Sequence, residues 1–214
     1  MLLTRRSSLI LGAGALVAAC SGQGGAGGGA ASAADMTLAS AAGASAPILI
    51  EYASLTCPHC ADFHAEAWER LKQNYIDPGR IRFVYREFPT NPAPVAVAGF
   101  QVARCGGATV EQYFDRLGVL YAQQRQILST GSYDGVRAKL VEIGQAAGLS
   151  AQAVEACIAD ESGAQRIRQV VDDAVERYNV TGTPTFVLND EKLEIVGPLT
   201  YETLSAAIDA KLGG

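Results

Sequence analysis

The chain has 214 residues, about half of them apolar, with 17 basic against 22 acidic side chains and a formal charge of −5. That length and composition suit one globular domain with a substantial core plus an accessory segment. The acidic balance, with no basic face and no interleaved aromatic pattern, speaks against a nucleic-acid binder.

Residues Met1 to Ala19 read as an export signal: Arg5 and Arg6 precede an apolar run, Leu9 to Ala19, that is too short to span a bilayer. Removing these 19 residues takes the charge to −7. The two arginines also fit a twin-arginine signal. The run closes as Leu16-Val17-Ala18-Ala19-Cys20, which resembles the lipobox of bacterial lipoproteins, where the cysteine is lipidated and becomes the mature N-terminus. The alternative is ordinary cleavage further on, after Ala31-Ser32-Ala33, which would discard Cys20. Residues 20 to 34 are almost entirely Gly, Ala and Ser and read as a flexible linker. A folded unit is expected from Asp35 to Leu212, with a first short strand around Met36 to Ala39.

Pro47 to Ala53 is a nearly continuous apolar run, the pattern of a strand buried on both faces. Its one charge is Glu51. Two readings of Glu51 stand at this stage: a carboxylate that relays a proton to or from a nearby sulfur, or an edge residue that meets water.

Cys57-Pro58-His59-Cys60 follows, at the junction of this strand with a helical run. Unsatisfied N–H groups and the positive end of the helix dipole favour a thiolate at Cys57. Pro58 suits the first helical position, where an N–H would have no partner, and His59 adds a group able to carry positive charge. The spacing therefore favours redox exchange, with Cys57 as nucleophile and leaving group. A zinc site needs a second ligand pair, and the remaining cysteines and the only other histidine, His64, do not supply one at ligand spacing. A purely structural bridge closing so short a loop would constrain the unfolded chain little.

Phe63, Ala67, Leu71 and Tyr75 recur every four residues and predict one amphipathic helix ending near Asp77-Pro78-Gly79. His64, four residues after Cys60, shares the face of the sulfurs, either to tune them or to pack. Ile81 to Phe88 reads as a strand. From about 93 to 178 helical spacing punctuated by glycines predicts an inserted cap of four or five helices. Cys105 and Cys157, 52 positions apart inside it, would most simply form a structural disulfide in an oxidising compartment. Sequence alone leaves open whether their Cα atoms are close enough. The chain then returns to sheet: Val180 to Leu188, a turn at Asn189-Asp190, a strand from Lys192 to Val196, and a last helix from Tyr201 to Leu212. Pro184 is either a cis proline in a tight turn or an ordinary trans proline opening a strand.

Taken together, Glu51 to His64, the strand Phe83 to Pro89, and Gly182-Thr183-Pro184-Thr185-Phe186 resemble the DsbA-like thiol-disulfide oxidoreductases of the bacterial envelope. The resemblance covers roughly Asp35 to Leu212 and implies an α/β chain: a thioredoxin fold with an inserted helical domain. It implies that Cys57 is the exposed attacking sulfur and Cys60 the buried resolving one. It places Glu51 at the family's buried acid, Thr183-Pro184 at the substrate-binding cis-proline loop, and Cys105 with Cys157 at the second, structural disulfide of some members. His64 departs from the acid that certain members carry there.

The expected function is dithiol oxidation of exported polypeptides, with no cofactor, a quinone-linked membrane partner for reoxidation, and a monomeric periplasmic protein held by a lipid anchor if Cys20 is modified. Threonine before the cis proline is shared with isomerase-type relatives, so a reductase or isomerase remains the alternative. Those relatives usually carry an N-terminal dimerisation domain, for which residues 21 to 46 are too short and featureless. A non-catalytic polypeptide-binding module is the third reading.

Overall fold

In the computed structural model, the residues described are 35–39, 43 and 45–213. The export signal, the linker and Cys20 lie outside them. Five strands form one mixed sheet among the described residues: β1 (Thr37–Leu38), β2 (Ile48–Ala53), β3 (Arg82–Glu87), β4 (Thr185–Leu188) and β5 (Glu191–Lys192), in the order β1-β3-β2-β4-β5. β2 and β3 run parallel, with Glu51 opposite Tyr85; β4 runs antiparallel to β2, with Glu51 opposite Phe186. Every residue of β2 is buried, as its unbroken apolar run requires. Glu51 is thus on a central strand, and the edge reading fails.

Alternation along β2 decides which face each side chain meets. Ile48, Ile50 and Tyr52 pack with Val84, Val187 and Ala174, whereas Leu49 and Ala53 join the large core that contains Cys57 and Cys60. Glu51 shares the Leu49 and Ala53 face.

The helical run after Cys57 is not one helix. It divides into α1 (Pro58–Glu66), α2 (Trp68–Leu71) and a π turn over Lys72–Ile76, breaking at Ala67, whose φ is −113°. The apolar stripe nevertheless holds: Phe63, Ala67, Leu71 and Tyr75 are all buried. The π turn buries Tyr75 and Ile76 against the core.

Between β3 and β4 the described residues form six helices, one more than the upper expectation: α3 (Ala93–Arg104), α4 (Val110–Ala122), α5 (Gln124–Leu128), α6 (Tyr133–Ala146), α7 (Ala151–Ile158) and α8 (Glu161–Tyr178). The additional element is the five-residue α5, too short to carry a periodic signal. Caps fix the starts of the longer ones: Thr109 and Gln112 form a reciprocal box at α4, Ser132 and Ser150 cap α6 and α7, and Asp160 accepts from Ser162 and Gly163 at α8. α6 lies so close to α7 that a Cβ at Gly144 would fall 2.4 Å from Val154.

After β4 the expected strand over Lys192 to Val196 shrinks to β5. Leu193 still donates to the Phe186 carbonyl, but the chain then leaves the sheet and Val196 is 87% exposed. A final helix, α9 (Tyr201–Leu212), begins at a Thr200–Thr203 capping box. No helix among the described residues is long and apolar enough to cross a membrane.

Candidate active site

Cys57 is the N-cap of α1. It has extended backbone angles and no side-chain capping bond, and Pro58 occupies the first helical turn. The first-turn amides of α1 consequently remain available to a negative sulfur. Cys57 and Cys60 are both free thiols here, and they differ in surroundings. Cys60 is completely inaccessible, while Cys57 is 7% exposed beside Thr183 and the exposed His59.

These surroundings split the two sulfurs chemically. The hydrogen bond from Cys60 is the largest influence on Cys57 and brings it from its ordinary 9.0 down to about 5, against the opposing effect of burial. The Thr183 side chain and the backbone N–H groups of Cys60 and His59 add to the lowering. Thr183 therefore meets Cys57 in two ways. Its carbonyl accepts from the thiol at 3.3 Å, while its buried hydroxyl, with no partner of its own, can donate once the proton is gone. Cys60 moves the other way: burial pushes it far above the usual thiol range, and the bond to Cys57 and the charge of Glu51 push in the same direction.

Glu51 is fully buried. Its Oε2 lies 3.0 Å from His64 Nε2, and its Oε1 has no hydrogen-bond partner. The His64 ring is stacked on Tyr121 at 4.3 Å and on Trp68 at 5.3 Å. Beyond it the hydroxyls of Tyr85 and Tyr121 share a hydrogen bond of 2.6 Å. The structure thus brings Glu51, Cys60 and His64 into one buried cluster. The peptide bond between Thr183 and Pro184 is cis, and the pair faces Cys57 across the mouth of the site. A groove of about 710 Å³ runs from there along α1, lined by His59, Phe63, Pro184, Leu199 and Tyr201.

Cys105 and Cys157 stand apart from this cluster. They are bonded to each other, with Cα atoms 5.7 Å apart, and tie the end of α3 to α7.

Several residues that the sequence did not single out hold the site. Gln124, buried on α5, donates both Nε2 hydrogens to the carbonyls of Leu55 (3.0 Å) and Cys57 (2.9 Å). Gly99 on α3 allows Leu55 to approach so closely that a Cβ there would sit 2.8 Å from it. Ser54, Thr56 and Thr90 interlock the loop before Cys57 with the loop of a second cis bond, Asn91–Pro92. A glutamine, a glycine and three hydroxyls carry no distinguishing spacing.

Among the described residues no group of three or more His, Cys, Asp or Glu side chains is arranged to hold a metal ion. The available chemistry is that of the two sulfurs and the acid–imidazole pair beside them.

Comparison with known proteins gives a consistent picture. The family model described as thioredoxin matches residues 39–210. A Rickettsia conorii protein provisionally named a protein-disulfide oxidoreductase is 30% identical over 165 residues, covering 77% of this chain and 56% of the relative. The chain spans a little over half the length of the curated relatives it matches first. Among solved structures, alpha-DsbA1 of Wolbachia pipientis is 26% identical, with a TM-score of 0.70 over 86% of this chain and 93% of the other. A protein-disulfide isomerase from Novosphingobium aromaticivorans shares the fold at 21% identity, with a TM-score of 0.70 over 83% of this chain and 97% of its own.

Proposed function

The chain belongs to the thioredoxin family, in its DsbA-like branch, and from that premise we propose that it is a thiol-disulfide oxidoreductase that introduces disulfides into exported polypeptides through Cys57 and Cys60. The observation that carries this reading is the division between the two sulfurs. One is held at about 5, next to a groove and a cis proline; the other is buried, and its charged form is opposed.

In the oxidised protein a substrate thiolate attacks Cys57, forming a mixed disulfide and releasing Cys60 with the electron pair. A second substrate thiolate then attacks its own sulfur in that mixed disulfide and expels Cys57. The substrate leaves with a new disulfide, and two electrons remain on the enzyme as the Cys60 thiol and the Cys57 thiolate. A low-pKa leaving group drives this direction, because the reduced form is stabilised as thiolate. Thr183 and Pro184 present backbone to an extended substrate segment, Pro58 and His59 keep the helix start open to negative sulfur, and Glu51 and His64 tune Cys60. The Cys105–Cys157 bond is structural. A membrane electron acceptor reoxidises the dithiol, residues 1–19 direct export, a lipid on Cys20 holds the protein at the envelope, residues 20–34 act as the tether, and the enzyme works as a monomer.

Reduced and scrambled test substrates separate this from the other direction. The oxidase reading expects the disulfide form to oxidise a reduced, thiol-containing protein rapidly, with little effect of the dithiol form on a scrambled one. Efficient reshuffling of the scrambled protein would instead favour an isomerase, the reading supported by threonine before the cis proline.

A further inference from the structure

The groove that opens from Cys57 carries a charge pattern that exchange at the sulfur does not require. Phe63, Ala67, Leu199 and Tyr201 give it apolar walls. Apart from His59 at its mouth, its charged groups are three carboxylates, Asp62, Glu66 and Glu202, against one guanidinium, Arg70, and no lysine among the described residues lines it. Arg70 is already committed: it pairs with Glu202 and lies over the Tyr201 ring at 3.9 Å. Asp62 and Glu66 are exposed, and neither side chain has a partner among the described residues.

Neither carboxylate serves the helix that bears it. They stand four positions apart on α1, where like charges repel. Glu66 is also the last residue of α1, at the end of the helix dipole that disfavours an anion. A cation laid over the pair would relieve both conflicts. At about 1.5 Å per residue along α1, Asp62 lies about 7.5 Å and Glu66 about 13.5 Å from Cys57. An extended chain rises about 3.3 Å per residue, so these distances match positions about two and about four residues from a cysteine bonded to Cys57. Side chains at two and four share the face of that cysteine, and those at one and three point the other way, towards Leu199 and Tyr201.

We infer that the groove selects its polypeptide by charge: Asp62 and Glu66 are specificity residues for an extended segment that carries lysine or arginine two and four positions from its reacting cysteine, with apolar side chains between. This names the substrate class for the exchange proposed at Cys57 and Cys60, on which it rests. A basic segment neutralises two uncompensated carboxylates, whereas an acidic one adds to their repulsion. Because both carboxylates are exposed, each contact is modest and is screened by salt.

The test uses two nonapeptides with a central cysteine, lysine or glutamate at the second and fourth positions on either side of it, and leucine elsewhere. The measured step is formation of the mixed disulfide, in which the peptide thiolate takes the place of Cys60 on Cys57, followed by mass spectrometry of acid-quenched samples. Each rate is divided by that of the same peptide with bis(2-hydroxyethyl) disulfide, which removes the influence of the peptide's charges on its own thiol. Wild type is expected to favour the lysine peptide about tenfold at low salt and about twofold in about 0.5 M sodium chloride.

Asp62→Asn combined with Glu66→Gln is expected to reduce the low-salt preference to about twofold, and Asp62→Lys combined with Glu66→Lys to reverse it. Both pairs change only exposed side chains of α1, so the fold is retained. A wild-type ratio at or below one, or a preference that the amide pair leaves intact, overturns the inference. A wild-type disulfide that reacts with neither peptide removes the functional reading and this inference with it. Reaction with both at equal normalised rates removes the selectivity alone.

Discussion

The molecule holds two sites that each combine a cysteine pair with a buried carboxylate, and they are built in opposite ways. At the start of α1 the cysteines are three positions apart and free, and Glu51 has one partner and one orphan oxygen. At the end of α3, Cys105 and Cys157 are bonded across 52 positions, and Arg104, next to Cys105 in the chain, reaches Glu87 of β3. There both oxygens of Glu87 are occupied: Oε1 takes Arg104 at 2.7 Å and the Tyr113 hydroxyl at 3.0 Å, and Oε2 takes Arg166. A carboxylate with partners on both oxygens fixes elements in place. One with an open oxygen, its charge acting on Cys60, ties fewer elements together.

The largest effect should come from removing the reactive sulfur. Cys57→Ser is expected to abolish exchange with glutathione and protein thiols while leaving the circular dichroism close to wild type. Glu87→Ala should do the reverse. It strands two half-buried guanidinium groups and a buried tyrosine hydroxyl and is expected to cost about 3 kcal/mol in urea unfolding, with the thiolate absorbance of Cys57 unchanged. A Cys57 titration that moved in E87A would break the contrast between the two sites.

Replacing both Cys105 and Cys157 by Ala should lower stability by up to about 4 kcal/mol, the chain-entropy value for a loop of 52 residues, and leave thiol exchange intact. Any fall in exchange rate larger than the loss of folded protein would show that the cap disulfide takes part in the chemistry. Gln124→Ala sharpens the comparison on a smaller scale, because Gln124 is where the cap reaches the reactive loop. Two buried carbonyls lose their donor, for about 1–3 kcal/mol. Unlike E87A, this variant should also raise the Cys57 titration midpoint.

Much of this organisation was legible in the sequence because it depends on local pattern. The apolar run of β2, the Cys-Pro-His-Cys start of α1, the stripe of Phe63, Ala67, Leu71 and Tyr75, and the turn at Asn189-Asp190 each follow from a short-range rule. Long-range partners were not legible. Glu87 ends a strand whose charges alternate with apolar residues and looks like a solvent-facing group. Only the return of α3, α4 and α8 to β3 buries it under two arginines and a tyrosine. Gln124 was hidden for the same reason, being one glutamine among several until α5 is laid over the loop. Glu51 was visible as an oddity in an apolar strand, but its pairing with His64 depends on α1 crossing β2. The break at Ala67 and the π turn went unseen because they preserve the stripe that predicted the helix.

On the proposed oxidase reading, the folded protein holds Cys57 as a thiolate and thereby makes its disulfide a strong oxidant. Between pH 5 and 9 the unfolded dithiol binds more protons than the folded one, since Cys57 is depressed to about 5 from 9.0. The stability that the thiolate adds to the dithiol form is therefore full above pH 9, declines as pH falls, and is gone below about 5. The most direct test is a glutathione redox series on the Cys57–Cys60 couple, with thiolate absorbance followed against pH on the same sample. An oxidising couple and an absorbance midpoint near 5 are expected. A midpoint close to that of an ordinary thiol, with a potential as reducing as that of thioredoxin itself, would contradict it.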